Sequence, residues 1–385
     1  MQNFIYTVII LAFLYRLINS IKRKKPKKPW QELLKKSTLE MRAIPNKRLV
    51  LMFGIENSFT TSSPHVHRRF LRSTIKKLES IAKSDWKKAT EFVCQEVEER
   101  RYNAKVLGSL KLSSLVQCLT FRFIMYEFFS SVQPPRDTTI EKLTKKINSL
   151  WIKSKSFEIE KLEVLETEKK EILQLLSETM SEKVEEGNKN PFNIILPAYE
   201  TLWRVVSHCF LETVFRASPE ERLVYYRIAR RFIHNPSLNT LNENGFEQIN
   251  MNMIVKETLR LYPPTRRIYR LFDGMKDCVD VESLQRDHVI FGPNANKFQP
   301  RRWKNIEQEK LEQYLPFGYG KFKCPARNNV ASMMIAILSS TLILKMGGNC
   351  TISKNLGKDP IPSERNSFDD IELTIINDEN FKNLV

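Results

Sequence analysis

The stretch Pro-Phe-Gly-Tyr-Gly-Lys-Phe-Lys-Cys-Pro-Ala, residues 316–326, decides the fold and the chemistry of this 385-residue chain. Its glycines permit positive φ angles and let the backbone approach a large planar ligand closely. Cys324 stands just ahead of a predicted helix over residues 326–345 and is flanked by a lysine, so we expect its thiol pKa to be lowered. A thiolate in such a loop has the chemistry that an axial ligand of haem iron needs. A glycine-rich turn around a buried structural cysteine is the alternative that this stretch alone leaves open.

The motifs around this cysteine occur in a recognisable order. Glu-Thr-Leu-Arg, residues 257–260, places an acid and a base on one face of a predicted helix. Such a pair alone is usually an exposed ion pair, but Phe-Gln-Pro-Arg-Arg-Trp follows at residues 298–303. The cysteine stretch then supplies the pattern F-x-x-G-x-x-x-C-x-A, whose fixed members are Phe317, Gly320, Cys324 and Ala326. In this order the motifs resemble those of the cytochrome P450 family.

The resemblance implies a role for each motif. In cytochromes P450 the cysteine binds the haem iron, so Cys324 is the implied axial ligand, with Phe317 and Gly320 as residues that contact the haem. The glutamate and arginine of the helix form a buried ionic triad with the second arginine of the F-x-P-x-R-W segment. That triad fixes the core around the haem, and its implied members here are Glu257, Arg260 and Arg302.

A third motif, Pro-Ala-Tyr-Glu-Thr at residues 197–201, lies in a predicted helix over residues 193–215. The family carries A-G-x-[DE]-T at this place, and oxygen activation needs a proton that an alcohol beside a carboxylate can supply. The resemblance therefore implies Thr201 as the hydroxyl that orients oxygen and water, and Glu200 as the acidic relay. Without the other motifs, this pair would be interpreted as two solvated side chains.

Three departures from the family pattern bear on these assignments. Phe322 stands two positions before the cysteine, where family members usually carry an arginine that binds a haem propionate, and Lys321 and Lys323 are the nearest substitutes. Ala198 replaces a glycine of the oxygen-activation motif. Glu200 comes earlier in the chain than in family members, so the region before residue 190, which forms the roof and entry of the substrate pocket, is shortened. A compact variant, an incomplete sequence and a decayed copy are all compatible with this shortening.

The composition agrees with a helical protein. The 42% of hydrophobic residues supports a real core and excludes a disordered or low-complexity chain, while 11 glycines are too few for a typical all-β fold. Six scattered cysteines and five histidines favour neither a disulfide framework nor a multi-histidine metal centre. Together with the motifs, the resemblance implies the cytochrome P450 fold, so the predicted fold class is mainly α with a small β region.

The N-terminus carries an apolar run followed by positive charge. Residues 4–21 would span about 27 Å as a helix, close to the hydrocarbon thickness of a bilayer. Residues 22–48 hold eleven lysines and arginines against two glutamates, which by the positive-inside rule orients that side to the cytosol. We therefore predict a transmembrane signal-anchor over residues 1–21, a basic, proline-containing linker over residues 22–48, and a catalytic domain over residues 49–385. An interfacial helix and a buried helix are the alternatives for the first segment.

Periodicity and capping signals predict the remaining elements. A short strand is predicted at residues 47–53, and residues 371–376 alternate as a second strand. A helix over residues 65–83 has a basic face suited to a haem propionate and an acidic reductase, with a solvated surface as the alternative. Further helices are predicted over residues 87–106, 110–130, 140–153, 157–186, 218–233 and 251–262.

Taken together, the resemblance implies a haem-thiolate monooxygenase that binds haem b and inserts one oxygen atom from O2 into a lipophilic substrate. NADPH would supply the electrons through NADPH–cytochrome P450 reductase. The chain is expected in the endoplasmic reticulum membrane, in contact with lipid, with its catalytic domain in the cytosol. Residues 280–295 resemble filamentous-fungal microsomal members, which implies a role in secondary metabolism.

Three alternative functions stay open at this point. A haem-thiolate isomerase or dehydratase would need no external electrons. A non-catalytic or truncated P450-like protein would retain only the fold. Basic blocks also occur in nucleic-acid-binding proteins, but this block directly abuts an apolar segment and favours a membrane surface, so no nucleic-acid partner is expected.

Overall fold

The computed structural model describes residues 30–130, 135–156 and 162–376. The predicted membrane anchor, residues 1–21, lies outside these ranges, as does the first part of the predicted linker. Among the helices of the described ranges, none is both long enough and apolar enough to cross a bilayer.

Helices make up most of the described chain. Those before the motifs are α1 (Trp30–Lys35), α2 (Leu39–Ala43), α3 (Lys47–Phe53), α4 (Pro64–Ala82), α5 (Trp86–Leu107), α6 (Leu112–Phe129), α7 (Asp137–Ser156) and α8 (Leu162–Met180). Those that carry or follow the motifs are α9 (Phe192–Phe210), α10 (Pro219–His234), α11 (Leu238–Asn242), α12 (Met251–Leu261), α13 (Val281–Gln285), α14 (His288–Phe291), α15 (Gln308–Glu312) and α16 (Val330–Met346).

The strands form two small antiparallel sheets, which fits the predicted small β region. They are β1 (Ser109–Lys111), β2 (Arg267–Phe272), β3 (Met275–Asp280), β4 (Cys350–Ile352) and β5 (Glu372–Ile375). One sheet has the strand order β1-β5-β4, and the other is the β2–β3 hairpin, in which Arg267 lies opposite Asp280. The hairpin turn residues, Asp273 and Gly274, both have positive φ (47° and 72°), as a type I′ turn requires.

The centre of the molecule is built on α16. This helix is apolar around its whole circumference, and Ala336, Ile337 and Leu338 are fully buried. Such a helix needs partners on every side, and α5, α9 and α10 pack against it. In turn α6 packs on α9, with the ring of Phe121 edge-on to that of Tyr199. The core therefore fixes α9, which carries Thr201, relative to the helix that follows the cysteine loop.

The prediction of a strand at residues 47–53 is wrong, because this segment forms helix α3. Its buried residues Leu49, Met52 and Phe53 have the spacing of one helical face. Gly54 ends the helix in the left-handed conformation, with φ 61°, and donates its N–H to the carbonyl of Val50. A short apolar run does not by itself distinguish a strand from a helix, which explains the error.

Residues 30–48, predicted as part of the linker, are folded. Leu33 and Leu34 of α1 are buried in a small hydrophobic cluster with residues of the β2–β3 hairpin. The Trp30 ring packs edge-on against Tyr319 of the cysteine loop, with 5.0 Å between ring centroids. The linker prediction is therefore wrong for this segment, because it forms helices that bury Leu33 and Leu34 and also the charged Arg42.

Two helix boundaries also differ from the prediction. The helix predicted to start at residue 326 begins at Val330, because a 3₁₀ turn at Pro325–Arg327 and the positive φ of Asn329 (76°) precede it. The helix predicted over residues 193–215 ends as an α-helix at Phe210 and continues as a π-helical turn at Leu211–Arg216.

Candidate functional site

The cysteine loop is a closed turn held by backbone hydrogen bonds. The N–H of Cys324 donates to the carbonyl of Phe317 over 2.8 Å, and the N–H of Gly318 donates to the carbonyl of Leu315 over 3.0 Å. Gly318 and Gly320 have φ angles of 74° and 63°, which residues with a Cβ adopt only under strain. The local sequence therefore fixes the position of the cysteine.

The thiol of Cys324 lies in a mixed environment. Burial raises its pKa, while hydrogen bonds from the backbone N–H of Ala326 and then the charges of Arg327 and Arg42 act in the opposite direction. The expectation of a lowered thiol pKa is therefore wrong for the protein without a metal, because burial outweighs these donors. A metal bound at Cys324 would take the place of the thiol proton, and the groups that lower the thiol pKa would stabilise the sulfur anion. This donor set fits an axial ligand of haem iron.

Two arginines that sequence reasoning missed converge on the loop beside Phe322. The guanidinium carbons of Arg42 and Arg270 lie 4.8 and 5.6 Å from the centroid of the Phe322 ring. Arg42 donates to the carbonyl and hydroxyl of Ser58, and Arg270 donates to the hydroxyl of Ser37. Neither guanidinium pairs with a carboxylate of the described residues.

Burial lowers the pKa of Arg42 to about 9, with a further decrease from the charge of Arg270, whereas Cys324 raises it. Burial likewise lowers the pKa of Arg270 to about 10. Two buried cations without acidic partners suit the carboxylates of a haem, so this observation also fits the cofactor. The sequence analysis missed Arg42 because this residue lies in the segment that composition assigned to the linker.

The two lysines predicted as substitutes for the missing arginine lie on the loop's aromatic rings. The ammonium of Lys321 is 5.3 Å from the centroid of the Phe322 ring, and that of Lys323 is 5.7 Å from the Tyr319 ring. Both lysines are exposed, whereas the two arginines are buried. The arginines are therefore the better placed cations.

The basic face of α4 adjoins this loop. His67 shares a hydrogen bond of 2.8 Å with the hydroxyl of Ser58, and its ring centroid lies 6.0 Å from that of Phe322. On the outer side, an open groove of about 290 Å³ is lined by four basic residues, His65, Arg68, Arg69 and Arg72. One helix thus contacts the cysteine loop and also presents a basic surface.

The structure brings the three predicted triad residues together. Glu257 and Arg260 are fully buried, and Arg260 donates to both carboxylate oxygens of Glu257, over 2.8 and 2.9 Å. Arg302 donates its Nε–H to Glu257 Oε1 over 2.9 Å. The indole N–H of Trp303 and the backbone N–H of Gln299 add two further bonds of 2.9 Å. The side chain of Glu257 therefore joins α12 to the segment that precedes the cysteine loop.

Thr201 lies on α9 in a turn that contains a proline. Pro197 has no N–H, which leaves the carbonyl of Asn193 free to accept a bond of 3.4 Å from the Asn57 side chain. The Thr201 hydroxyl bonds back to the carbonyls of Pro197 and Ala198, over 3.0 and 3.1 Å. The helix continues through this turn with alanine at position 198.

Glu200 and Thr201 have separate hydrogen-bond partners. Consecutive residues of a helix point about 100° apart, and the buried carboxylate of Glu200 is bound by Arg365. Arg365 comes 165 residues later in the chain, and no motif singled it out. Sequence reasoning therefore missed the partner that determines the charge around Glu200.

The architecture is similar to that of a solved haem protein. The haem domain of cytochrome P450DA superposes with a TM-score of 0.59, covering 89% of this chain and 84% of that chain at 14% sequence identity. This likeness establishes the fold, which is that of a cytochrome P450 haem domain. Residues 250–347 match the family model of cytochrome P450. The part of the chain that carries the buried triad and Cys324 is thus similar in sequence to cytochromes P450.

Curated relatives align with the same region. Cytochrome P450 714B2 of Oryza sativa subsp. japonica is 29% identical over 122 residues, or 28% of this chain and 23% of the relative. Cytokinin hydroxylase of Arabidopsis thaliana is 29% identical over 123 residues, or 29% and 23%. Cytochrome P450 monooxygenase apdE of Emericella nidulans is 32% identical over 98 residues, or 20% and 18%. The alignments thus span about a fifth of these relatives and include plant as well as fungal proteins.

Proposed function

We propose that this protein is a haem-thiolate monooxygenase whose haem b iron is bound by Cys324. The observation that carries the proposal is the glycine-containing loop that fixes Cys324 through the bond from its N–H to the carbonyl of Phe317, beside the buried cations Arg42 and Arg270. When bound, haem with an axial thiolate supplies the reductive activation of O2 and the transfer of one oxygen atom. The names of two relatives, a hydroxylase and a monooxygenase, support this reaction class.

The residues of this chain would hold the haem at its iron and at its propionates. Cys324 binds the iron, while Phe317 and Gly320 shape the loop against the haem. Arg42 and Arg270, buried and without carboxylate partners among the described residues, bind the propionates in place of the arginine that is absent at position 322. The buried triad of Glu257, Arg260 and Arg302 keeps the adjoining segments fixed.

In this proposal Thr201 and Glu200 deliver the proton that oxygen activation needs. The Thr201 hydroxyl exchanges its bond to the carbonyl of Pro197 for one to oxygen or water in the site. Glu200 is held by Arg365 through one carboxylate oxygen, and its other oxygen is the relay atom. A water chain, rather than direct contact, connects the two side chains.

The partners follow from the charge of the surface and from the family. The basic groove of α4 suits an acidic NADPH–cytochrome P450 reductase, since opposite charges steer association. The substrate is lipophilic, and the protein acts at the endoplasmic reticulum membrane with residues 1–21 as its anchor. A filamentous-fungal type with a role in secondary metabolism is part of this proposal, and a monooxygenase of Emericella nidulans is among the similar proteins.

Reductase-dependent NADPH oxidation tests the proposal against the isomerase or dehydratase alternative. We expect the haem-loaded protein to consume NADPH and O2 only when reductase is present, and to incorporate one atom of ¹⁸O₂ into a turned-over substrate. Haem loading without any reductase-dependent NADPH oxidation would favour a reaction that needs no external electrons. Absence of haem binding would favour the non-catalytic alternative.

Thr201→Ala sharpens this test. We expect the variant to oxidise NADPH while forming about tenfold less oxygenated product, since proton delivery contributes at least this much. Thr179→Ala is the matched control, because the Thr179 hydroxyl makes the same bond to a carbonyl four residues earlier, on α8. Equal product yields from the two variants would contradict the role of Thr201.

A further inference from the structure

A group of cations lies where α3, α7 and α9 meet the segment before β5. Arg48, Lys155, Arg204 and Arg365 form this cationic cluster. The guanidinium carbons of Arg365 and Arg48 lie 4.4 and 5.1 Å from the centroid of the Trp151 ring. Two guanidiniums on one indole ring place two positive charges close together in a largely buried region.

The cluster holds more positive than negative charge. Glu200 is the carboxylate bound to Arg365. In the described ranges, Arg48, Lys155 and Arg204 form no ion pair with a carboxylate: Arg48 donates to the Ser154 hydroxyl, and Arg204 donates to backbone carbonyls over 2.9 Å. Arg266, the next cation along, is neutralised by two glutamates of its own, at 2.6 Å each.

The pKa shifts agree with this excess of charge. Burial and then the charge of Arg365 lower the pKa of Arg48 to about 10. Burial, followed by the charges of Arg365 and Arg48, also lowers the pKa of Lys155. The charged forms of Arg48 and Lys155 are therefore disfavoured by neighbouring cations, and an added anion would relieve this repulsion.

Two buried polar atoms in the cluster lack hydrogen-bond partners among the described residues: Nε of Arg365 and Oε1 of Glu200. The Arg365 residue is 9% exposed, so its Nε–H is shielded from bulk solvent and needs an acceptor. Lys155 is exposed, and Arg48 and Trp151 are half-buried. The cluster is thus reachable from solvent on the α7 side, with its unpartnered donor at the inner end.

We propose that the substrate is a lipophilic carboxylate whose carboxylate group is bound by Arg48, Lys155 and Arg365. This inference rests on the proposed function, which supplies the oxygenation of the lipophilic part. The carboxylate accepts the Nε–H of Arg365 and balances the excess charge. Because Glu200, which anchors Arg365, is the sequence neighbour of Thr201, the bound carboxylate would fix the substrate relative to α9.

Calorimetric titration of the haem-loaded full-length protein with decanoate, decanol and inorganic phosphate tests the inference. We expect saturable binding of decanoate, at least about tenfold tighter than that of decanol, which lacks the charge. Arg48→Gln and Lys155→Gln should each weaken decanoate binding by about tenfold or more. Lys153→Gln is the matched control, since it removes the same charge two residues away on α7, where Lys153 pairs with Glu168.

Several results would overturn the inference: no saturable decanoate binding, equal affinities for decanoate and decanol, or unchanged decanoate affinity in both variants. Phosphate binding as tight as that of decanoate would also overturn it, because it would indicate a general anion site. Should circular dichroism show that Arg48→Gln does not fold, the exposed Lys155 variant decides. The reduced, CO-treated spectrum of each variant reports the haem-thiolate centre separately, so a failure of the proposed function is distinguishable from a failure of this inference.

Discussion

Two buried glutamates of this protein are bound by arginine in different ways. Arg260 donates hydrogen bonds to both carboxylate oxygens of Glu257, and Arg302, Trp303 and the backbone N–H of Gln299 donate further bonds. Glu200 is bound by Arg365 through one oxygen, and its other oxygen has no partner among the described residues. Both carboxylate oxygens of Glu257 therefore have hydrogen-bond partners, and we call this the saturated region. The region around Glu200 contains a donor and an acceptor without partners among the described residues, and we call it the unsaturated region.

This difference separates a structural site from a ligand site. A buried ion pair contributes to a unique fold only when all its polar atoms are satisfied, and the bonds of Glu257 meet that condition. Around Glu200 the surplus of cations costs stability in the absence of a ligand, because Arg48, Arg204 and Arg365 are buried or half-buried near one another. We infer that the first region holds the core and that the second recognises an anion.

The largest effect is expected from Glu257→Gln. Removing this charge leaves two arginines, Arg260 and Arg302, without their counterion, which should lower the free energy of unfolding by about 3–5 kcal/mol. Urea denaturation followed by circular dichroism measures this loss. A decrease below about 1 kcal/mol would show that the saturated network does not hold the core.

Glu127 is a third buried glutamate, and unlike Glu257 and Glu200 it is not bound by an arginine of the described residues. Burial raises its pKa to about 7, although a hydrogen bond from Ser84 and the charge of Lys77 oppose the shift. Because the folded-state pKa lies above the unfolded one, near 4.5, the folded protein should lose stability relative to Glu127→Gln as the pH rises from about 4.5 through 7. The difference should reach about 3 kcal/mol above pH 7. Urea titrations of both proteins across this range measure it, and parallel curves would contradict the burial argument.

A smaller loss is expected from Glu200→Gln. The amide still accepts a hydrogen bond from Arg365, so the free energy of unfolding should fall by about 1–2 kcal/mol, less than for Glu257→Gln. The same urea assay compares the two variants directly. A loss equal to that of Glu257→Gln would remove the distinction between the saturated and the unsaturated region.

The smallest effect is expected at an exposed pair. Glu307 and Lys310 lie 3.1 Å apart on the surface, and Glu307→Gln should change the free energy of unfolding by less than about 0.5 kcal/mol. This variant calibrates the other three glutamate substitutions. A loss above about 1 kcal/mol would indicate that charge removal, rather than burial of a network, dominates the measurements.

The saturated region could be predicted from the sequence, because its residues are close together in recognisable motifs. Glu257 and Arg260 share one helical face, and the F-x-P-x-R-W segment supplies Arg302 together with Trp303. The fold class followed from the same motifs and from the low glycine content. The comparison with a solved haem domain confirms this mainly helical fold.

The unsaturated region could not be predicted, because its contacts connect distant parts of the chain. Arg365 is 165 residues from Glu200, and Arg48 lies in a segment whose composition suggested a linker. Arg42 escaped notice for the same reason. The pKa of Cys324 also depends on burial, which a local pattern of glycines and lysines does not reveal.

The reduced, CO-treated absorption spectrum of the purified protein tests the central claim most directly. An intact thiolate ligand gives the red-shifted Soret band, so we expect this band in the wild-type protein and in Cys278→Ser, which changes an exposed cysteine on β3. Cys324→Ser should lose the band while remaining folded by circular dichroism. A Cys324→Ser protein that retains the band would contradict the assignment of Cys324 as the iron ligand.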